Sequence, residues 1–202
     1  TALEIQGTFD DCQSLVKRAF QDPELAQQYK LSSANSINIA RLIPQSFYYV
    51  NAYKQLSGTT DKLVFSVPSG NFGNLTAGLF AKKMGMPVND FIAATNANAV
   101  VPEYLSNGKF EPKKSVATIS NAMDVGNPST FWRMTDIFHD SVDEMRKMIS
   151  GYSYNDTETR SMMKAVYESN HYILDPHTAV GVCAWREHQK KNTIDKNATS
   201  NS

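Results

Sequence analysis

The residues best placed to do chemistry are Ser69-Gly70-Asn71-Phe72-Gly73-Asn74. Gly70 and Gly73 can take positive φ and let a bound group come close to the backbone, and Asn71 and Asn74 add amide side chains. The loop follows an apolar run, Leu63 to Val67, and precedes a helical run from Leu75. A strand, a tight loop and a helix start in one unit leave backbone N–H groups unpaired at the positive end of a helix dipole. Such a place favours an anion, usually a phosphate. The Gly-Lys-Ser/Thr of a triphosphate loop is absent, and Gly70 with Gly73 gives G-x-x-G without the G-x-G start of a dinucleotide site. A plain strand-to-helix turn uses the same residue types, so the loop taken alone leaves both readings open.

Two further groups stand out. Asn35, Ser36, Asn38 and Arg41 open a predicted helix over Ile37 to Leu56, within which Pro44 should cause a kink or split off the first turns. Exposed amides at that start, with a guanidinium one turn in, suit a phosphate or carboxylate; the same residues also serve as N-caps and a solvated arginine. Asp175-Pro176-His177-Thr178 is ordinary helix-start chemistry, which leaves His177 as either a site residue or a surface residue. His139, His171 and His188 show no metal-ligand spacing, and no metal is expected. Asp10 and Asp11 fit a helix first turn with Thr8 or Asp10 as its N-cap, and Cys12 fits a small buried apolar residue. Asn96, Asn98, Asn121 and Asp124 follow strand ends and are placed to reach a bound ring, whereas Met162 and Met163 read as core.

The elements that must hold these residues alternate. Strands are predicted at Thr1 to Gln6, Lys62 to Val67, Asp90 to Thr95 and Tyr172 to Leu174. Helices are predicted at Asp11 to Phe20, Leu75 to Met84, Val100 to Asn107, Phe131 to Phe138, Val142 to Ile149, Thr157 to Ser169 and from Pro176 onward, with a short one between Asp22 and Leu31. The pattern is α/β: a mostly parallel sheet with helices on both faces, and ligands at the carboxyl ends of its strands. The sequence has 202 residues, 41% hydrophobic and 20% charged, with a formal net charge of zero, which offers no electrostatic footprint for nucleic acid or an anionic membrane. Apolar runs are too short to span a bilayer. Two distant cysteines make no disulfide framework, so a reducing, cytoplasmic setting is expected.

The stretch from Val67 to Pro87 closely resembles the threonine synthases, pyridoxal-phosphate enzymes of fold type II. Gly7-Thr8-Phe9-Asp10-Asp11-Cys12-Gln13, Asn35-Ser36-Ile37-Asn38-Ile39-Ala40-Arg41 and Leu174-Asp175-Pro176-His177-Thr178-Ala179-Val180-Gly181 resemble the same family in the same order. The likeness runs from Thr1 to about His188. It implies a tryptophan-synthase-β-like architecture, incomplete here: residues 1–32 ending a smaller α/β domain, 33–191 forming much of the large cofactor-binding domain, and 192–202 a polar flexible tail or loop. It further implies that Ser69, Gly70, Asn71, Phe72, Gly73 and Asn74 cradle the 5′-phosphate of pyridoxal phosphate. Phe72 has the alternative role of a packing residue that shapes the loop. Asn35, Ser36, Asn38, Arg41 and His177 would meet the substrate, O-phospho-L-homoserine, on its way to L-threonine and phosphate. The protein is expected to be a monomer or a homodimer.

Two parts of the family pattern are missing. The cofactor-bonding lysine of this family precedes the Gly-Thr-Phe-Asp-Asp segment in a Phe-Lys-Asp context, which does not occur here. Lys17, Lys54, Lys82 and Lys83 carry no matching motif, and a Thr-Ala-His-Pro-like segment after the last helix is also absent. The chain therefore reads as the middle and later part of a longer enzyme, inactive alone. A related phospho-lyase releasing a 2-oxo acid and ammonia, or a non-catalytic phosphate-binding α/β module, is the alternative. A plain NAD-binding domain ranks below both.

Overall fold

In the computed structural model, which describes residues 3–56, 58 and 62–199, the order is α1 (Phe9–Gln21), α2 (Pro23–Gln28), a 3-10 turn (Ile39–Arg41), α3 (Leu42–Leu56), β1 (Val64–Pro68), α4 (Gly73–Lys83), β2 (Asp90–Thr95), α5 (Val100–Asn107), a 3-10 turn (Asn121–Met123), α6 (Phe131–Ile137), α7 (Val142–Arg146), β3 (Ile149–Ser153), α8 (Asp156–Asn170) and α9 (Pro176–Thr199). The strands form one sheet in the order β1-β2-β3, both pairs parallel. Ser66 faces Ile92 across the first pair, and Ile92 faces Ser150 across the second.

Strand alternation sorts the core into two faces. Phe65, Phe91, Ala93 and Ile149 point to one side and pack with Tyr49 of α3, Leu75 and Leu79 of α4, Val101 and Leu105 of α5, and Phe131 of α6. Val64, Ile92, Ala94 and Tyr152 point to the other and meet Val180, Cys183 and Ala184 of α9. β2 lies in the middle, and its residues Phe91 to Thr95 are fully buried, as a strand covered on both faces requires.

Several local expectations agree with the structure. Thr8 caps α1 in a capping box with Asp11, β2 and α5 keep their predicted bounds, and the break near Pro44 takes the form of a 3-10 turn that separates the first residues from α3. Others need correction. Residues 3–6 are not a strand, and residues 1–2 of that prediction lie outside the described residues. Tyr172 to Leu174 is also not a strand: His171 takes the left-handed conformation at the end of α8 (φ 53°), and the chain crosses to α9 with Tyr172 and Ile173 exposed. Among the described residues neither segment has a strand to pair with. The helix predicted to reach Ile149 stops at Arg146, and β3 follows. The polar stretch after Asn192 continues α9 as far as Thr199, supported at its start by a Lys191–Glu187 ion pair of 2.9 Å one turn apart.

Gly151 explains how β3 meets its neighbours. A Cβ there would lie 2.8 Å from the Pro102 Cα of α5, so only a residue without a side chain lets the helix come this close to the strand. Gly151→Ala is expected to lower stability by about 1–3 kcal/mol, the usual range for overpacking a tight contact, read as a lower urea midpoint with an unchanged slope.

Candidate functional site

The glycine-asparagine loop begins where β1 ends. Ser69 N–H still donates to Ala94 O at 2.9 Å, prolonging the ladder by one residue. The chain then turns through Gly70 and Asn71 to Phe72, whose backbone is left-handed (φ 63°, ψ 12°) and whose ring is buried in the main core. α4 starts at Gly73 with no side-chain cap. Thr76 is the first residue to make a helical bond, its N–H to Phe72 O at 3.0 Å, and Leu75 N–H is taken by the Asn74 side chain. Among the described residues, the backbone N–H groups of Gly70, Asn71, Phe72, Gly73 and Asn74 find no acceptor. Successive free amides at a helix N-terminus are an anion cradle.

Two residues hold this loop open. The Asn74 side chain bridges its base: Oδ1 accepts from the Ser69 hydroxyl at 2.9 Å and from Leu75 N–H at 3.0 Å, and Nδ2 donates to Pro68 O at 2.7 Å. Tyr49 of α3 donates its hydroxyl to Asn74 O at 2.7 Å, and burial pushes that phenol's pKa up. The Asn71 amide ties the loop to Ser36 and to Ser129–Thr130 at the start of α6. The side chains of Asn71 and Asn74, expected from sequence to touch the anion, are thus engaged with protein; the free donors here are backbone amides. Phe72 takes the packing role with its ring and offers only its N–H to the cradle.

The cradle opens into a cleft of about 330 Å³. Ser36, Gly70, Asn71, Phe72, Gly73, Asn74 and His177 line it, along with Gln45, Pro68, Ala122 and Met123. Ser69 lies just beneath, buried. Asn35, Asn38 and Arg41 are not part of the lining. Asn38 caps the 3-10 turn, accepting from Ala40 N–H at 3.1 Å and donating to Ser33 O at 3.2 Å, while Arg41 is exposed. No motif marked Gln45, Ala122 and Met123; they reach the cleft through the packing of α3 and of the loop after α5.

His177 joins two walls. Asp175 accepts from the amides of His177 (2.9 Å) and Thr178 (3.2 Å), as a helix N-cap does, and lies 3.0 Å from His177 Nδ1. On the ring's other side Ala122 N–H donates to Nε2 at 3.2 Å. These two contacts assign the proton to Nδ1 and make Nε2 an acceptor. The loop that carries Ala122 is itself fixed to the end of β2. Asp124 accepts from the Thr118 hydroxyl (2.7 Å), Thr118 N–H (3.0 Å) and Asn96 Nδ2 (2.8 Å), and Asn98 Oδ1 accepts from Val116 N–H at 2.8 Å. Asn96, Asn98 and Asp124 therefore shape the wall and are occupied in doing so. Among the described residues no cluster of His, Cys, Asp and Glu could hold a metal ion, and no helix is long and apolar enough to cross a membrane.

Two outcomes follow from this geometry. A Cβ on Gly70 would sit 2.7 Å from the Met123 Cα, so Gly70→Ala must push the loop and the 3-10 turn apart. Phosphate binding, followed by isothermal titration, should weaken at least tenfold. The Asp175 carboxyl is held down to about 2, first by the Thr178 hydroxyl and then by the Thr178 amide and His177, against an opposing effect of burial. Its folded pKa lies below the unfolded one, so its contribution is complete above about pH 4 and is lost as pH falls toward 2. The side chain is 56% exposed, so solvent screening reduces this to about 1 kcal/mol. Asp175→Asn, which keeps the cap, should flatten acid unfolding over that window by about that amount.

Known proteins similar in sequence and shape point one way. The family model described as pyridoxal-phosphate dependent enzyme matches residues 1–200. The threonine synthase of Haemophilus influenzae is 49% identical over 177 residues, covering 87% of this chain and 41% of that protein. The crystal structure of threonine synthase from Escherichia coli superposes with a TM-score of 0.86 at 46% identity, over 92% of this chain and 43% of that one. The pyridoxal-phosphate-bound threonine synthase from Brucella melitensis gives 0.82 at 36% identity, with 92% and 45% covered. The chain thus spans less than half the length of these relatives. Its five free amides suit the phosphate of that cofactor, and with the family model matched along nearly its whole length, the chain belongs to the pyridoxal-phosphate dependent enzymes.

Proposed function

We propose that this chain is the phosphate-holding part of a threonine synthase, which converts O-phospho-L-homoserine and water to L-threonine and phosphate. The observation that carries this reading is the row of free amides from Gly70 to Asn74 at the carboxyl end of β1. The identities of 46–49% to threonine synthases support the choice of reaction. Residues 1–32 close a smaller domain in this reading, and 33–191 form much of the larger one.

The roles divide by chemistry. The amides of Gly70 to Asn74 hold the cofactor's 5′-phosphate, with Ser69 fixing the loop through Asn74. When bound, pyridoxal phosphate supplies an electron sink for carbanions at the substrate's Cα and Cβ. The segment from Asn35 to Arg41, of which Ser36 lines the cleft, meets the substrate's charged groups. His177, with its proton on Nδ1, presents a fixed ring face at the rim. No lysine lines the cleft among the described residues, so the cofactor-bonding lysine comes from another part of the protein.

The full-length protein, supplied with pyridoxal phosphate and O-phospho-L-homoserine, should release phosphate and L-threonine in equal amounts. Borohydride reduction should leave a phosphopyridoxyl group on a lysine outside this chain. Release of a 2-oxo acid and ammonia would make the protein a phospho-lyase instead. Neither turnover nor adduct would leave a phosphate-binding module and overturn the proposal.

A further inference from the structure

The two asparagines of the phosphate loop make bonds in opposite directions. Every side-chain bond of Asn74 stays within the loop or its base: Ser69, Pro68 and Leu75. Every side-chain bond of Asn71 leaves it. Nδ2 donates to Ser36 Oγ at 2.6 Å and to Thr130 Oγ1 at 3.3 Å; Oδ1 accepts from Ser129 N–H at 2.6 Å and from the Ser129 hydroxyl at 3.1 Å. Both donors and both lone pairs of the amide are used, a set that a carboxylate or hydroxyl cannot reproduce.

A second path closes the triangle. Ser129 and Thr130 open α6, and Arg133 on that helix donates from Nη1 to Ser36 O at 2.8 Å and from Nη2 to Ile37 O. Asn71 therefore grips the 36–37 segment twice, directly through the Ser36 hydroxyl and indirectly through α6 and Arg133. These segments lie 35 and 58 residues from Asn71 in the chain.

We infer that Asn71 is a positioning residue that joins the phosphate cradle to the substrate wall, while Asn74 shapes the cradle alone. The inference rests on the function proposed above for its substrate terms, and on geometry alone for the joint itself. The network is half-buried, and all the hydrogen-bonding capacity of the Asn71 amide is used within it; side chains in one hydrogen-bond network are energetically coupled, so removing the central member should loosen all its partners together.

Full-length protein carrying Asn71→Ala or Asn74→Ala tests this by amide hydrogen exchange and by kinetics. With Asn71→Ala, exchange in 33–38 and 129–133 should rise at least tenfold, while 76–83 changes less than threefold. KM for O-phospho-L-homoserine should rise at least tenfold, and Kd for pyridoxal phosphate less than threefold. Asn74→Ala should show the reverse: cofactor Kd up at least tenfold, exchange in 33–38 unchanged. Ser36→Ala, which removes one arm, should raise exchange in 33–38 by about threefold and add nothing to Asn71→Ala; it also stands in for Asn71→Ala if that variant does not fold. Unaltered exchange in 33–38 for Asn71→Ala, or for Ser36→Ala in its place, overturns the inference, as does equal loss of cofactor affinity in the two asparagine variants. A protein that does not turn over O-phospho-L-homoserine would refute the proposed function, and the exchange results would still decide the joint.

Discussion

Five adjacent backbone N–H groups cannot be left without acceptors unless something stops the loop from closing on itself. A strand-to-helix turn of ordinary sequence would use side chains or a tighter turn to satisfy them. Here Phe72 prevents that. Its left-handed backbone costs about 1–2 kcal/mol for a residue with a Cβ, and the buried ring holds it there. Thr76 reinforces the same point with two bonds, amide and hydroxyl, to Phe72 O. The first turn of α4 is thus fixed from inside, and the amides before it stay available.

Among the described residues neither lysine nor arginine lines the cleft, so an anion held there would be met by backbone dipoles and helix polarity. Lys82 and Lys83 lie in the last turn of α4, where they complement its negative end. The acids near the cleft are already satisfied. Asp124 accepts from Thr118 and Asn96, and Asp175 from Thr178 and His177, so each carboxylate spends its lone pairs on local donors. Amides fixed by a rigid scaffold select for the tetrahedral shape of a phosphate and need little reorganisation to receive it.

The sequence made the local chemistry legible and the long-range packing much less so. The glycine-asparagine loop, the capping box at Thr8 and the bounds of β2 and α5 are set by nearby residues, and they can be read from type and spacing. β3 could not be read in that way. Ser150 and Gly151 weaken its strand signal, yet they are what the position needs: Gly151 lies under Pro102, and the strand is defined by its ladder to β2, 58 residues earlier. The strand expected at Tyr172 to Leu174 fails for the converse reason, having suitable residue types and, among the described residues, no neighbour to pair with. Within the site, Ser36 and His177 could be named because they stand in recognisable segments. Arg133, Gln45 and Ala122 could not, since their roles depend on which helix crosses which loop.

Those roles have a common topological cause. Parallel strands end on one side of the sheet, and the loops leaving β1 and β2 emerge there together. The start of α9 reaches the same side because α9 packs across the sheet's second face, where Val180 and Ala184 meet Ile92 and Ala94. Once the first loop is committed to offering its backbone, its side chains become free to bind protein, and Asn71 and Asn74 do so. The site's walls can therefore come from segments far apart in sequence and still be rigid, because each is fastened to the loop or to the strand end beside it. What distinguishes the cleft from an ordinary turn is this division, in which main-chain amides are left free and side chains face the scaffold.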